Sequence, residues 1–428
     1  MDFDSACIDS SGKLDELIAV ARDAGFQTEK LVVNRWIATD QTWPQWRGPN
    51  RDGQSMDGIW PDKLSQESLQ LLWRAEFGPS YSGPVLSNDL VFTTETREET
   101  DEVVYALDRK TGKERWRTEW KGSLKVPFFA ASNGSWIRST PAYDGERLYV
   151  AGIRDVLVCL DAKSGNQEWR VDFVEKLGAS LPAFGFVCSP LFDDNAVYVQ
   201  AGGGVAKLDK RNGQIIWHAM KDGGGMNGSA FSSPIIATVA GKRQLIVQTR
   251  TELSGIDLES GNVLWKQAVP AFRGMNIQTP LVVKDTVFTS SYQNRSWLYE
   301  ISLSNESYQV RTVWESNAQG YMSTPVMIDG HVYMHLQNGR FACLSLANGE
   351  RKWTSKPFGK YASLVACGDK ILALVQDGRL LLLAADPEQF TLLGEAKVAS
   401  EETWAHLAVS GEVLYVRELK ALSAYGWK

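Results

Sequence analysis

The chain has 428 residues, 43% of them hydrophobic and 22% charged, which is typical of a globular protein with an ample core. The net charge is −6 and the isoelectric point is near 5.5. No basic stripe is available to displace counterions from phosphates, so broad nucleic-acid binding is excluded, and no apolar run is long enough to predict a membrane-spanning helix.

Residues 1–40 differ from the rest of the chain and predict a separate N-terminal extension of unknown role. Apolar residues recur there at helical spacing, which predicts a short amphipathic helix over about residues 13–24. An extended stretch over Leu31–Ile37 follows it. Neither a basic region nor an apolar core follows Met1, so we expect no signal peptide in this chain.

An irregular aromatic stretch, Trp43–Gly53, and a strand-like stretch, Leu69–Phe77, precede a series of repeats. The most complete repeat is Ala106–Trp116, which reads as a strand, a tight turn and a second strand that ends in tryptophan. Its aspartate can accept backbone N–H bonds in the turn, and its glycine supplies a positive φ. The frame recurs with Asp108, Gly112 and Trp116; Asp161, Gly165 and Trp169; Asp209, Gly213 and Trp217; Asp257, Gly261 and Trp265; and Gly349 and Trp353, where Ser345 replaces the aspartate.

Each repeat opens with a small polar residue, usually followed by proline, before an apolar strand, as in Ser139-Thr140-Pro141. With the turn-bearing frame, a repeat contains four strands in about 40–50 residues, the size of a propeller blade. Residues 361–398 form a degraded seventh unit without the glycine turn or the tryptophan. The eighth unit, about 403–428, lacks a fourth strand, which residues 69–77 can supply and so close the ring.

The sequence therefore predicts an all-β, eight-bladed β-propeller of four-stranded antiparallel blades over residues 41–428. We expect the repeat tryptophans, with Trp73 and Trp314 at equivalent places, to wedge between each blade and the next. The five scattered cysteines predict buried thiols rather than disulfides.

These motifs resemble the tryptophan-docking motif of the PQQ-repeat β-propeller family. The segments Trp43–Pro49 and Ile137–Pro141 are similar to segments of BamB-like outer-membrane assembly propellers within it. The resemblance covers about residues 43–428. It implies a place in the periplasm or cell envelope, although the missing signal peptide leaves a cytoplasmic location open. The family also contains quinoprotein dehydrogenases, but the repeat is structural and implies no quinone.

The long connections between blades, 120–137, 173–187, 218–231 and 267–277, fall on one face of the predicted ring. Loops on one face of a rigid scaffold are a common place for binding, so this face is the predicted binding face. For each aromatic residue there, packing between blades is the alternative. The candidates are Phe128, Phe129, Trp136, Phe184, Phe186, Phe231 and Phe272.

Quinone chemistry would imply, by family resemblance, an aspartate base, a calcium ion, an arginine and often two adjacent cysteines. No two cysteines are adjacent, and no acidic and amide cluster offers calcium ligands, so no catalytic residue and no metal site are predicted. Weak candidates for cofactor contacts, each with packing as the alternative, are Arg138, Arg273, Trp404 and His406.

The first functional hypothesis is a monomeric, non-catalytic scaffold of the bacterial cell envelope that needs no cofactor. It would bind a protein or extended chain through the long-loop face. The alternative is a PQQ-dependent dehydrogenase that uses calcium and oxidises an alcohol or sugar. A third hypothesis, a carbohydrate-related accessory protein, depends only on the aromatic loops.

Overall fold

The computed structural model describes residues 42–55, 60–228 and 231–428, all within the second of two compact units, Asp40–Lys428. The predicted helix over residues 13–24 and the stretch over Leu31–Ile37 lie outside the described residues. In the described part of the chain, eight four-stranded antiparallel sheets follow one another around a ring. The predicted eight-bladed propeller is confirmed.

Strand β1 (Leu69–Glu76) belongs to the last blade, and the other strands follow in chain order from the channel outward. Blades 1 to 4 contain β2 (Val85–Leu86), β3 (Leu90–Arg97), β4 (Asp101–Asp108) and β5 (Glu114–Lys121); β6 (Ala142–Tyr143), β7 (Arg147–Gly152), β8 (Val156–Asp161) and β9 (Gln167–Asp172); β10 (Leu191–Asp193), β11 (Ala196–Gln200), β12 (Val205–Asp209) and β13 (Ile215–Ala219); and β14 (Ile235–Val239), β15 (Lys242–Gln248), β16 (Glu252–Asp257) and β17 (Val263–Ala268).

The second half of the ring repeats this pattern. Blades 5 to 8 contain β18 (Leu281–Val283), β19 (Thr286–Ser290), β20 (Ser296–Ser304) and β21 (Ser307–Ser316); β22 (Val326–Ile328), β23 (His331–His335), β24 (Arg340–Ser345) and β25 (Arg351–Pro357); β26 (Ala362–Cys367), β27 (Lys370–Val375), β28 (Arg379–Ala384) and β29 (Leu392–Lys397); and β30 (Ala408–Ser410), β31 (Val413–Glu418), β32 (Ala421–Trp427) and β1.

Within residues 42–55, 60–228 and 231–428, helical structure is confined to short pieces in the connections between strands. The described residues contain one α-helix, α1 (Phe173–Leu177), and the 3₁₀ turns Phe128–Asn133, Gly225–Asn227 and Phe272–Gly274. Across the described part of the chain, no helix has the length and apolar character needed to cross a membrane.

The ring is closed where the sequence predicted it. β1 pairs antiparallel with β32, from Leu69 opposite Trp427 to Glu76 opposite Ala421. The last blade therefore has no open outer edge. Its inner strand β30 begins at Ala408, so Trp404 and His406 lie just before this strand.

The seventh blade is complete, although its sequence is degraded. The register of its outer strand is irregular at Leu393, next to Gly394. The Leu393 carbonyl accepts a hydrogen bond of 3.2 Å from the Leu64 N–H. A Cβ on Gly394 would lie 1.9 Å from the Leu64 carbonyl oxygen, so only glycine admits this approach. Trp60 and Leu64 join the apolar cluster of blades 7 and 8, at the junction whose repeat lacks a tryptophan.

Tryptophan side chains bridge most of the other junctions. In six cases the indole N–H donates to a carbonyl in the next blade around the ring. The donor and acceptor pairs are Trp73 to Arg109 (2.9 Å), Trp116 to Ala162 (3.0 Å), Trp169 to Lys210 (2.9 Å), Trp217 to Leu258 (3.1 Å), Trp314 to Leu346 (2.7 Å) and Trp353 to Asp386 (2.8 Å).

Trp265 differs, because its indole donates to Gln244 Oε1 of its own blade at 2.7 Å. Gly255 lies opposite Trp265 in the sheet and leaves space for the ring to lie back over its own blade. The next blade has no glycine turn to receive it, since β20 and β21 are joined at Asn305 and Glu306. Trp265 still packs in an apolar cluster with Trp297 of that blade.

The small polar residues before the prolines link consecutive blades next to the central channel. At each link, the N–H of one pre-proline residue donates to the hydroxyl of its counterpart in the next blade. We call these five bonds the hydroxyl ladder: Gly83 to Thr140 (3.0 Å), Thr140 to Ser189 (3.1 Å), Ser189 to Ser233 (2.9 Å), Ser233 to Thr279 (3.2 Å) and Thr279 to Thr324 (3.1 Å).

Residues 42–55, which we call the channel segment, pair with the inner edges of two blades. Trp43 exchanges backbone hydrogen bonds of 3.2 and 2.9 Å with Leu86 of blade 1. Gly53 and Ser55 bond to Ala366 of blade 7 at 2.7 Å each. The irregular aromatic stretch of the sequence is therefore an internal element that covers strand edges otherwise left open.

Two arginines of the channel segment reach across to other blades. Arg47 is completely buried and donates to the carbonyls of Thr324 (2.7 Å) and Pro325 (2.6 Å) in blade 6. Arg51 donates to the carbonyls of Ser189 (3.0 Å) and Pro190 (2.7 Å) in blade 3. Burial lowers the pKa of both guanidinium groups to about 10, which leaves them charged near neutral pH.

Two glycines of blade 6 provide a matched test of tryptophan packing between blades. Gly349 and Gly330 have φ of 71° and 73°, so alanine at either costs about 1 kcal/mol in backbone strain. A Cβ on Gly349 would lie 2.5 Å from the Trp314 ring of blade 5, whereas a Cβ on Gly330 would meet nothing within 4 Å. We expect Gly349→Ala to lower the free energy of unfolding by about 2 kcal/mol more than Gly330→Ala, measured in urea. Equal losses would contradict the packing.

Candidate binding face

Each connection between blades runs from an outer strand to the next inner strand, so all of these connections lie on one face, which we call the long-loop face. The four long connections predicted from the sequence lie here, after β5, β9, β13 and β17. The short turns that join the first two and the last two strands of each blade lie on the opposite face.

Four phenylalanines form a chain of ring contacts across three of these connections, and we call them the aromatic belt. The ring centroids of Phe128 and Phe129 are 5.6 Å apart, those of Phe129 and Phe184 are 6.1 Å apart, and those of Phe184 and Phe231 are 5.6 Å apart. Phe128 is 90% exposed and Phe129 is 55% exposed. Exposed aromatic rings in mutual contact form an apolar surface that water solvates poorly.

A second aromatic group lies on the connections that follow. Phe272 is 46% exposed, and its ring centroid is 6.1 Å from that of Tyr292. Tyr292 in turn lies 4.3 Å from Tyr321. The Arg273 guanidinium lies 5.1 Å from the Phe272 ring. Neither tyrosine was predicted from the sequence, because both lie outside the repeat frame and no spacing pattern distinguishes them.

Two of the other predicted face residues are less accessible. Phe186 is completely buried, with its ring centroid 6.3 Å from that of Phe173, so its expected role as a contact for a partner is corrected to core packing. Trp136 is half-buried and lies over Gly134, where a Cβ would come within 2.0 Å of the indole.

Two of the four cofactor candidates, Trp404 and Arg138, lie against Tyr81 at the end of the channel. Trp404 stacks on Tyr81 and Tyr361, with centroid distances of 5.5 and 5.8 Å. The Arg138 guanidinium lies 5.9 Å from the Tyr81 ring, and its Nη2 donates to the Gly134 carbonyl at 2.6 Å. The aromatic faces on which a planar cofactor would stack are therefore already covered by other side chains of the protein.

The other two candidates, His406 and Arg273, lie in different surroundings. His406 is buried edge-on against Trp46 of the channel segment, with centroids 5.8 Å apart, and burial lowers its pKa to about 3. It is therefore neutral at physiological pH. Arg273 is exposed and belongs to the Phe272 group.

Two features of the described residues bear on quinone chemistry: the possible metal ligands and the thiols. Within residues 42–55, 60–228 and 231–428, no group of three or more His, Cys, Asp or Glu side chains is arranged to hold a metal. Cys159, Cys188 and Cys343 are buried free thiols, as predicted. Burial raises the pKa of Cys188 to about 12, which keeps this thiol protonated and unreactive.

A buried carboxyl group, that of Glu102, lies next to the start of the first long connection. Glu102 accepts hydrogen bonds from the Trp120 indole (2.7 Å) and from the Ile153 N–H (2.6 Å). Gly122 and Gly152 approach so closely that a Cβ on either would lie within 2.5 Å of Glu102 Oε2. Burial raises the pKa of Glu102 to about 7, despite these hydrogen bonds.

Comparison with known proteins identifies the family. A family model described as outer membrane protein assembly factor BamB matches residues 63–118 and 99–355, which is more than half of the chain. The chain belongs to this family. The resemblance to BamB-like PQQ-repeat propellers is thereby confirmed.

Individual family members and solved structures show the same relationship at low sequence identity. Outer membrane protein assembly factor BamB of Yersinia pestis is 21% identical over 374 residues, covering 86% of this chain and 79% of that protein. The crystal structure of BamB from Moraxella catarrhalis matches with a TM-score of 0.61 and 16% identity, over 84% of this chain and 98% of that chain.

A quinohemoprotein alcohol dehydrogenase from Comamonas testosteroni also matches with a TM-score of 0.61, at 13% identity, over 96% of this chain and 84% of that chain. At such identities, likeness to solved structures shows the fold alone. It therefore does not choose between a scaffold and an enzyme.

The raised pKa of Glu102 predicts a pH dependence of stability. The folded state holds this proton more tightly than the unfolded state, whose carboxyl pKa is near 4.5. The contribution of Glu102 to the free energy of unfolding is fully present below about pH 4.5. It is lost as the pH rises through about 7, by up to about 3 kcal/mol. We expect Glu102→Gln to flatten the decline in unfolding free energy between pH 5 and 8, measured in urea. An unchanged slope would contradict the burial of this proton.

Proposed function

We propose that this chain is a non-catalytic scaffold of the bacterial cell envelope that binds a protein or extended polypeptide through its long-loop face. The observation that carries the proposal is the aromatic belt, an exposed apolar surface on a rigid ring. Membership of the BamB family, whose members are outer membrane protein assembly factors, supports the envelope and the assembly of outer membrane proteins as its setting.

Exposed apolar side chains on the connections differ from those on the outer strands. Those on the long-loop face are phenylalanines and a methionine: Phe128, Phe129, Met226 and Phe272. Large aromatic side chains dominate the binding energy of protein interfaces, and a rigid scaffold limits the entropy lost when they are buried. Scattered aliphatic residues on outer strands, such as Leu71 and Ile216, are ordinary for a protein surface.

The dehydrogenase alternative has no observation in its favour beyond the shared fold. Trp404 is stacked on two tyrosines, His406 is neutral and packed against Trp46, and Arg138 is bonded to a backbone carbonyl. Each of these side chains has a structural partner, so we assign none of them to a cofactor. A monomeric state and the absence of a cofactor remain part of the proposal.

Site-specific photo-crosslinking in the native host tests the binding face. A photoreactive phenylalanine analogue at position 128 or 272 is expected to give adducts with outer membrane proteins or their assembly machinery. The matched control is position 71, which is 51% exposed on the outer strand of blade 8 and is expected to give none. Adducts at position 71, or none at positions 128 and 272, would contradict the proposed face.

The aromatic belt is tested by a double variant, Phe128→Ser with Phe129→Ser. Because both rings are exposed, the melting temperature is expected to stay unchanged. The yield of adducts from position 272 is expected to fall by about tenfold or more, as for the loss of two interface aromatics. An undiminished yield would remove the belt from the interface.

A further inference from the structure

A cavity lies inside the channel, between the channel segment and the inner strands of blades 4 to 6. Its volume is about 300 Å³, at the lower end of the range for ligand-binding cavities. Residues of the channel segment around Asn50–Asp52 form one wall, and apolar residues of β14 and β18 with Met327 form the other. The described lining contains no aromatic ring, so a planar cofactor has nothing there on which to stack.

The cavity is reached from the face opposite the long-loop face. Each inner strand begins at the long-loop face and ends at the first short turn of its blade, on the opposite face. Trp46, His406 and Trp404 with its two tyrosines fill the channel at the long-loop end. Toward the opposite face, Thr238 and Lys284 are exposed. A partner can therefore enter from that side.

The channel segment already bonds to the inner edges of four blades at one equivalent residue. This residue precedes the one that closes the first hairpin turn, so its N–H and carbonyl face the channel. The bonded pairs are Trp43 with Leu86 of blade 1 (3.2 and 2.9 Å), Pro44 with Tyr143 of blade 2 (2.7 Å), Gln54 with Met327 of blade 6 (2.9 Å), and Gly53 and Ser55 with Ala366 of blade 7 (2.7 Å each).

In blades 4 and 5 the equivalent residue has no such partner. It is Thr238 in β14 and Val282 in β18, by the same register to the second strand of each blade. Within residues 42–55, 60–228 and 231–428, no other residue bonds to the channel-side N–H or carbonyl of either. Ile236 faces the channel in the same way, because it lies two residues before Thr238 in the strand. Such free edges are templates for pairing with a further extended chain.

We propose that the channel is a second binding site, in which an extended, apolar segment of a partner polypeptide pairs with the free edge of β14. Backbone bonds to Ile236 and Thr238 give affinity, as in strand addition to other open sheet edges, and the apolar wall favours apolar side chains. An apolar small molecule would instead cover these N–H and carbonyl groups without bonding to them, which is costly.

The channel segment is the precedent for this occupant. It is itself an extended stretch outside the repeats, and it bonds to the inner edge of blade 6, two blades from β14. The partner segment would continue the same kind of pairing around the ring. The proposed site lies away from the aromatic belt, so neither site requires the other.

Fluorescence anisotropy of a labelled peptide mixed with the full chain tests the site. The probe is a fluorescein-labelled peptide of alternating valine and threonine, about eight residues long, with a lysine at each end for solubility. We expect saturable binding with a Kd below about 100 µM. Absence of saturable binding to the unaltered chain would overturn the proposal.

A matched pair of variants at one position separates backbone pairing from side-chain contact. Thr238→Pro removes the channel-side N–H but no bond to β15, because Thr238 and Arg243 form a pair without hydrogen bonds. We expect it to weaken binding about tenfold or more. Thr238→Val keeps the N–H and the branched shape and is expected to bind as the unaltered chain does. Undiminished binding by Thr238→Pro, or an equal loss in both variants, would contradict pairing with β14.

If Thr238→Pro does not fold, amide hydrogen exchange of the unaltered chain provides the second measurement. The peptide is expected to slow exchange in β14, where the N–H groups of Ile236 and Thr238 become bonded. The internal control is β26, whose channel edge is already bonded to Gly53 and Ser55, and which is expected to show no change. Unchanged exchange in β14 would likewise overturn the site.

Discussion

The channel segment constrains the rest of the propeller, because its two buried guanidinium groups bond to blades 3 and 6, which are not neighbours in the ring. Arg47 and Arg51 donate to backbone carbonyls of blades 6 and 3, while the ends of the segment pair with blades 1 and 7. Removing either arginine would leave buried carbonyl oxygens without donors, at a cost of about 1–3 kcal/mol each. The inner strands, and the loops that continue them on the long-loop face, depend on this arrangement.

Blades are joined by different chemistry near the channel and at the periphery. The hydroxyl ladder links five consecutive junctions on the inside, and indole N–H groups link six on the outside. The two exceptions have local replacements: Gln244 receives the Trp265 indole within its own blade, and Trp60 and Leu64 fill the junction after blade 7. A ring can therefore lose its tryptophan at a junction as long as another apolar group fills the space.

The sequence was sufficient for the fold because the repeat frame is local. Turn glycines with positive φ and alternating apolar strands determine the outer hairpins of five blades, and the spare strand at residues 69–77 determined the closure. Long-range contacts could not be predicted in this way. Nothing local distinguishes Arg47 as an internal residue, and Phe186 lies two residues after Phe184 on the same connection although only Phe186 is buried. The pre-proline hydroxyls were visible as a pattern, but their partners lie in other blades.

The proposed function follows from which aromatic side chains are exposed on the ring and which of them fill the end of its channel. The end of the channel is filled by Trp46, His406 and the stack of Trp404 on Tyr81 and Tyr361. Apolar rings are exposed instead on the connections around it. A partner would therefore meet the aromatic belt, and a small planar cofactor would have to displace packed side chains.

The most direct test of this account is a titration of the purified chain with PQQ in the presence of CaCl₂. Absorbance reports binding of the quinone, and dye-linked oxidation of alcohols and sugars reports turnover. The account predicts neither saturable binding at tens of micromolar nor oxidation above the rate without protein. Saturable binding accompanied by turnover would contradict it and establish an enzyme.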